Sequence, residues 1–269
     1  MGARVTGAAV PLVLVWLSGC AAGSLSGLRA QGVDSATSGC LRSPACYTQT
    51  PGEETVLPWV SRTVDAARTA STVMRLLDEA QVAQVEALLV RCARQASDSV
   101  NQEDEALQGR SPDREECRRV VRQEQGRDVT RAMELGQRKH ERALQCVREG
   151  VAQLHPEHVS VEPRYQREPG TGVWSQLAPA QVAEWLLLGM KRRLWGSLAP
   201  DVVLHAPGNP NKIQRVYDLK FPCPADNDPS WSRYAPGQPH FPKDQGQLYQ
   251  EALLGGQKLA KLATPRGIF

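Results

Sequence analysis

LAPDVVLHAPGNPNKIQRVYDLKF, residues Leu198–Phe221, reads as two β-strands joined by a turn. Asp201-Val202-Val203-Leu204-His205 is a short β-branched run, Ala206 to Lys212 is dense in Pro, Gly and Asn, and Ile213 to Phe221 resumes alternation. Strand side chains alternate between faces, so Asp218 and Lys220 point one way, with Tyr217, Leu219 and Phe221 opposite. Asp201, brought near by the hairpin, completes a cluster of two acids and a lysine. Such a cluster suits a metal-dependent phosphodiesterase. Mg²⁺ takes one or two carboxylates while keeping several waters, and an adjacent lysine orients or activates the attacking water.

The order of these residues resembles the PD-(D/E)xK signature of restriction-endonuclease-like nucleases, with Pro200-Asp201 followed by Asp218-Leu219-Lys220. Gln245-Gly246-Gln247-Leu248-Tyr249 is similar to the QxxxY motif of RecB-like members, and Gln245 and Tyr249 share a helical face at four-residue spacing. The likeness covers Trp174 to Leu262. It implies a small α/β nuclease core using Mg²⁺ (or Mn²⁺), with Asp201 and Asp218 as metal ligands, Lys220 holding water, and Gln245 and Tyr249 positioning the nucleic-acid backbone. Some nucleases of that fold add a helical glutamate to the metal shell, which makes Glu184 a candidate ligand. Lys220→Ala is expected to abolish activity and leave folding intact.

The chain opens on a targeting segment, residues 1–19, with Arg4 before an apolar core from Ala8 to Leu17. Leu17-Ser18-Gly19-Cys20 resembles a bacterial lipobox, which implies cleavage before Cys20, lipidation of that cysteine and membrane attachment through the acyl chains. Ala21 and Ala22, rather than an aspartate, follow, so the lipoprotein sorting rule implies the outer membrane. Residues 20–62 are Gly-, Ser-, Thr- and Pro-rich, suiting a tether and an irregular entry segment.

Export places six further cysteines in an oxidising compartment. Cys40, Cys46, Cys92, Cys117 and Cys146 are disulfide candidates, and Cys223 is either a partner or a free thiol. Six cysteines permit fifteen pairings, and spacing does not choose among them. No Cys-x-x-Cys pair supports zinc.

Residues 63–158 form the predicted helical domain. Val73, Met74, Leu77, Val85, Leu88 and Leu89 recur at helical steps from Val64 to about Leu107, and a second long helix is predicted from Arg114 to Leu154. Together they make a helical hairpin with a thin core, which cysteine staples would support. The nuclease-like domain, residues 159–269, adds a helix from Pro179 to Leu194 ending in Lys191, Arg192 and Arg193. A long loop from Pro222 to Pro242 carries Trp231, Tyr234 and His240 as candidate base-stacking residues, and a final helix is predicted from Lys243 to Leu262. The fold class is therefore α+β: a helical hairpin or bundle with disulfides, then a small α/β restriction-endonuclease-like core.

Composition is that of a globular protein, 41% hydrophobic and 23% charged. The net charge of +3 is too small to argue for nucleic acid by itself, although residues 161–269 hold 13 basic and 9 acidic side chains. A lipobox, a cysteine-bearing helical segment and a nuclease-like end together resemble the swarm-inhibition (Sit) polymorphic lipoprotein toxins. That resemblance implies delivery by outer-membrane exchange, cleavage of nucleic acid in the recipient cytoplasm, and a cognate immunity protein in the producer. The competing reading is a non-enzymatic outer-membrane lipoprotein that binds a partner through its helical domain.

Overall fold

The computed structural model describes residues 75–269, apart from 125. Helix α1, Glu79–Glu103, starts at a capping box in which the Asp78 carboxylate accepts the Gln81 N–H and the Gln81 side chain returns to the Asp78 N–H. Its buried stripe, Val82, Val85, Leu89, Cys92, Ala93, Ala96 and Val100, follows three- and four-residue steps.

The helix expected from Arg114 to Leu154 is not continuous. A short helix α2, Arg114–Arg118, gives way to an antiparallel hairpin of β1, Val120–Glu124, and β2, Arg127–Thr130, before α3 runs over Arg131–Leu154. The β-branched pair Val120-Val121 and the positive φ of 75° at Gly126 favour strand and turn at this point, against a charge pattern that read as helical. Thr130 then caps α3.

Helices α1 and α3 pack together and are joined by the disulfide Cys92–Cys146. Their approach is close at Gly150, where a Cβ would stand 2.5 Å from Cδ1 of Leu88. A five-stranded sheet lies against them, in the order β3 (Val159–Val161), β6 (Val202–Ala206), β7 (Asn209–Leu219), β8 (Lys261–Thr264), β9 (Gly267–Ile268). β3, β6 and β7 are antiparallel neighbours, whereas β7 and β8 are parallel. A parallel pair needs a crossover connection, and here it contains helix α5, Gln245–Leu253. A separate two-stranded ribbon, β4 (Tyr165–Arg167) with β5 (Trp174–Gln176), borders the second face of the main sheet.

One core joins Val85, Leu89 and Val147 of the helices to Val202, Leu204, Tyr217 and Leu219 of the sheet. The expected boundary at residue 159 therefore falls inside a shared core, and the disulfide Cys117–Cys223 also crosses it. Cys223 is thus bonded rather than a free thiol. A second core on the other face unites Val203 and Val216 with Tyr165, Tyr234, Leu248 and Tyr249. The described chain mixes helix and sheet in the α+β manner.

Two further predicted helices are shorter than the pattern suggested. Helix α4, Pro179–Leu187, ends in a Schellman turn: Gly189 N–H donates to Leu186 O, Met190 N–H donates to Trp185 O, and Gly189 has φ 71°. Lys191–Leu194 is a separate 3₁₀ turn. After α5, Gly255 and Gly256 take positive φ and stop the helix, so Lys261 and Leu262 belong to a strand. The hairpin between β6 and β7 turns on Pro207-Gly208 alone, with Gly208 at φ 68°.

Candidate active site

Pairing of Val202 with Tyr217 sets the register of β6 and β7, so the preceding Asp201 comes opposite Asp218. Asp218 follows the parity of Val216, whose core includes α5, while Tyr217 and Leu219 point to α1 and α3. Both acids are buried, Asp201 with 2% and Asp218 with 0% of its surface exposed. Oδ2 of Asp201 accepts the Leu219 N–H at 2.6 Å, which ties the start of β6 to the end of β7.

Lys220 Nζ lies 2.5 Å from Oδ2 of Asp218 and donates to Oε1 of Gln245 at 3.2 Å. The lysine thereby bridges β7 and the first residue of α5. An ammonium only donates, so this contact sets the amide with its oxygen toward lysine. Nε2 of Gln245, in a residue 1% exposed, has no hydrogen-bond partner among the described residues. Asp218, Lys220 and Gln245 are thus in contact, and Asp201 stands at the start of β6 with its carboxylate on the Leu219 N–H.

A fourth group comes from α3. His140 Nε2 is 2.9 Å from Oδ2 of Asp201. Burial opposes a charged ring, but Asp201 first, then Asp218 and Glu162, outweigh it and push the His140 pKa up to about 9. Glu162 has a 6% exposed side chain paired with Arg148, and its own N–H donates to Asp201 O at 2.8 Å. Its φ of 51° lies in the left-handed region, an uncommon setting for glutamate. Three acids thus face three bases in the pairs Asp201–His140, Asp218–Lys220 and Glu162–Arg148. Sequence reasoning missed His140, Glu162 and Arg148. His140 sits in the charged run Lys139-His140-Glu141 far upstream of the motif, and no spacing links it to Asp201.

No known protein family, curated protein or solved structure matches this chain. The chemistry of the cluster has to speak for itself. Among the described residues, no group of three or more His, Cys, Asp or Glu side chains is arranged to hold a metal ion. That does not conflict with Mg²⁺, which seldom uses an all-protein cage and more often takes one or two carboxylates plus waters and a substrate phosphate. Asp201 and Asp218, next to the paired Val202 and Tyr217, are the two carboxylates such a site would have to draw on.

Other expected site residues lie elsewhere. Glu184 is exposed on α4, a helix whose Val182 belongs to a separate small core with Leu194. It makes no contact with Asp201 or Asp218 among the described hydrogen bonds and ion pairs. Tyr249 shares α5 with Gln245 but is fully buried in the second core, edge-on to Trp231 at 6.0 Å. Gly246 lies under the same indole, where a Cβ would stand 2.6 Å from Trp231 Nε1. Tyr234 is buried, with its ring 5.2 Å from that of His240, and His240 Nε2 lies 3.0 Å from Gly196 O. These aromatics of the loop pack inward on the protein, leaving Tyr234 out of reach of a splayed base. His205, at the end of the β6 run, is buried and bonded to Ser160 Oγ and Ala206 O. The lipidation candidate Cys20 and the disulfide candidates Cys40 and Cys46 lie outside the described residues.

Proposed function

We propose that this chain is a contact-delivered lipoprotein toxin whose C-terminal part hydrolyses phosphodiester bonds of nucleic acid, DNA above all, with Mg²⁺ or Mn²⁺. The observation that carries the enzymatic reading is the opposition of two buried carboxylates, Asp201 and Asp218, with Lys220 and Gln245 packed at their side. A mixed sheet with the crossover helix α5 over the lysine strand accords with a restriction-endonuclease-like core, the finer form of the fold assignment. Two disulfides among the described residues are in keeping with export. Anchoring in the outer membrane through Cys20, action in a recipient's cytoplasm and a cognate immunity protein complete the proposal.

Asp201 and Asp218 would hold the divalent ion, which would supply Lewis-acid charge at the phosphate. Lys220 places a fixed positive charge beside the reacting phosphate, where negative charge grows in the transition state. Gln245 has a buried amide donor, Nε2, to orient a phosphate oxygen or the attacking water. His140, itself protonated, pairs with Asp201, and a cation held there would favour loss of the ring proton to solvent. Tyr249 supports α5 from within the core and positions Gln245 indirectly.

The test is digestion of plasmid DNA and of structured RNA by the exported chain. EDTA-sensitive cleavage, restored by Mg²⁺ or Mn²⁺ and lost in Asp218→Asn, is the expected result. Intact nucleic acid under all these conditions removes the nuclease. The matching of three acids by three bases favours a second reading, in which the cluster only holds helices to sheet in a partner-binding envelope lipoprotein. That reading expects no cleavage and a stability loss in the same variant.

A further inference from the structure

Four exposed large apolar side chains fall within the short stretch Leu187–Trp195. Leu187 is 74% exposed, Leu188 63%, Trp195 44% and Met190 39%. Scattered apolar residues on a surface need no explanation, but a contiguous group does. The Schellman turn at Gly189 produces this group, because it breaks α4 away from the 3₁₀ turn and leaves Leu187, Leu188 and Met190 at the tip. The unit beneath is a satellite with its own small core of Val182 and Leu194, apart from the two main cores.

Charge accompanies the apolar tip. Lys191, Arg192 and Arg193 are consecutive and exposed, and none of them forms an ion pair with an acidic side chain among the described residues. Arg193 instead lies over the Trp185 ring at 5.3 Å. No acid occurs between Trp185 and Pro200. Dipole complementarity does not account for the three cations, since α4 ends before them and the 3₁₀ turn is too short to carry a strong dipole.

We infer that the Leu187–Trp195 knob is a docking element for an anionic lipid surface. Leucine and methionine enter the acyl boundary, an indole favours the interface, and arginine and lysine meet acidic headgroups. A nucleic-acid backbone would use the three cations but leave Leu187 and Leu188 without a role. This inference is independent of the nuclease proposal, and failure of either leaves the other standing.

The experiment uses residues 20–269 carrying Cys20→Ser, so that no acyl chain contributes. Co-sedimentation is measured with vesicles of phosphatidylcholine alone and of phosphatidylcholine mixed with phosphatidylglycerol. The expected result is binding that favours the anionic vesicles. Removal of all three cations (Lys191→Ala, Arg192→Ala, Arg193→Ala) is expected to weaken it on the order of hundredfold, about fivefold for each charge. Leu187→Ser with Leu188→Ser is expected to weaken binding to both vesicle types. These side chains are exposed, and unchanged circular dichroism checks that each variant folds. Equal sedimentation of the parent and both variants overturns the proposal. It is also overturned if the charge variant loses binding to a short DNA duplex and keeps its vesicle binding, or if the leucine variant only dissolves a dimer seen by light scattering.

Discussion

His140 Nε2 stands 2.9 Å from Asp201 Oδ2, joining helix α3 to the start of strand β6. The contact makes one unit of two segments that the sequence presents as a helical domain and a separate catalytic domain. It also places a titratable ring against one of the two acids assigned to the proposed metal site.

This relationship has a consequence for stability. The His140 pKa rises from 6.5 to about 9 on folding, so the folded state binds the proton more tightly than the unfolded chain. The corresponding stabilisation, about 3 kcal/mol, is fully present below pH about 6.5 and is lost as pH rises through about 9. Urea unfolding at a series of pH values is expected to show that decline, and Asp201→Asn is expected to flatten it.

Lys220→Ala is a poorer test of catalysis than the motif suggests. The ammonium is 2.5 Å from a fully buried Asp218 carboxylate, so its removal is expected to destabilise the protein by about 3 kcal/mol, whatever it does to the proposed cleavage. The expectation that folding survives untouched is therefore replaced by a prediction of lost stability. The double variant Asp218→Asn with Lys220→Met is expected to recover most of the lost stability, with no activity, in chemical denaturation.

Glu184→Gln is expected to leave cleavage and its Mg²⁺ dependence unchanged, because the side chain is exposed on α4 and outside the cluster. A Mg²⁺ titration of the variant beside its parent measures this directly.

Gly246→Ala is expected to cost about 1–3 kcal/mol, since the added methyl meets the Trp231 indole at 2.6 Å and the core has to shift. Combining it with Trp231→Leu should cost less than the two single losses added together. Thermal melts of the four proteins give the coupling.

Loss of either disulfide is expected to lower stability by about 2–4 kcal/mol. Cys117–Cys223, which spans 106 residues, should matter more than Cys92–Cys146, which spans 54. Alanine pairs at each bridge, melted without reductant, test the order.

What the sequence determined by itself was local and periodic. Alternation along Asp201–His205 and Ile213–Phe221 gave the two strands and put Asp218 and Lys220 on one side, because side-chain direction along a strand depends only on parity. The spacing of Gln245 and Tyr249 likewise placed both on α5. Only the tertiary structure decided which cysteines pair, that β8 runs parallel to β7, and that His140, Glu162 and Arg148 gather round the acids. Those contacts join residues far apart in the chain, and their energy comes from burial and charge pairing in a shared core. No local pattern records which distant side chain will fill that space.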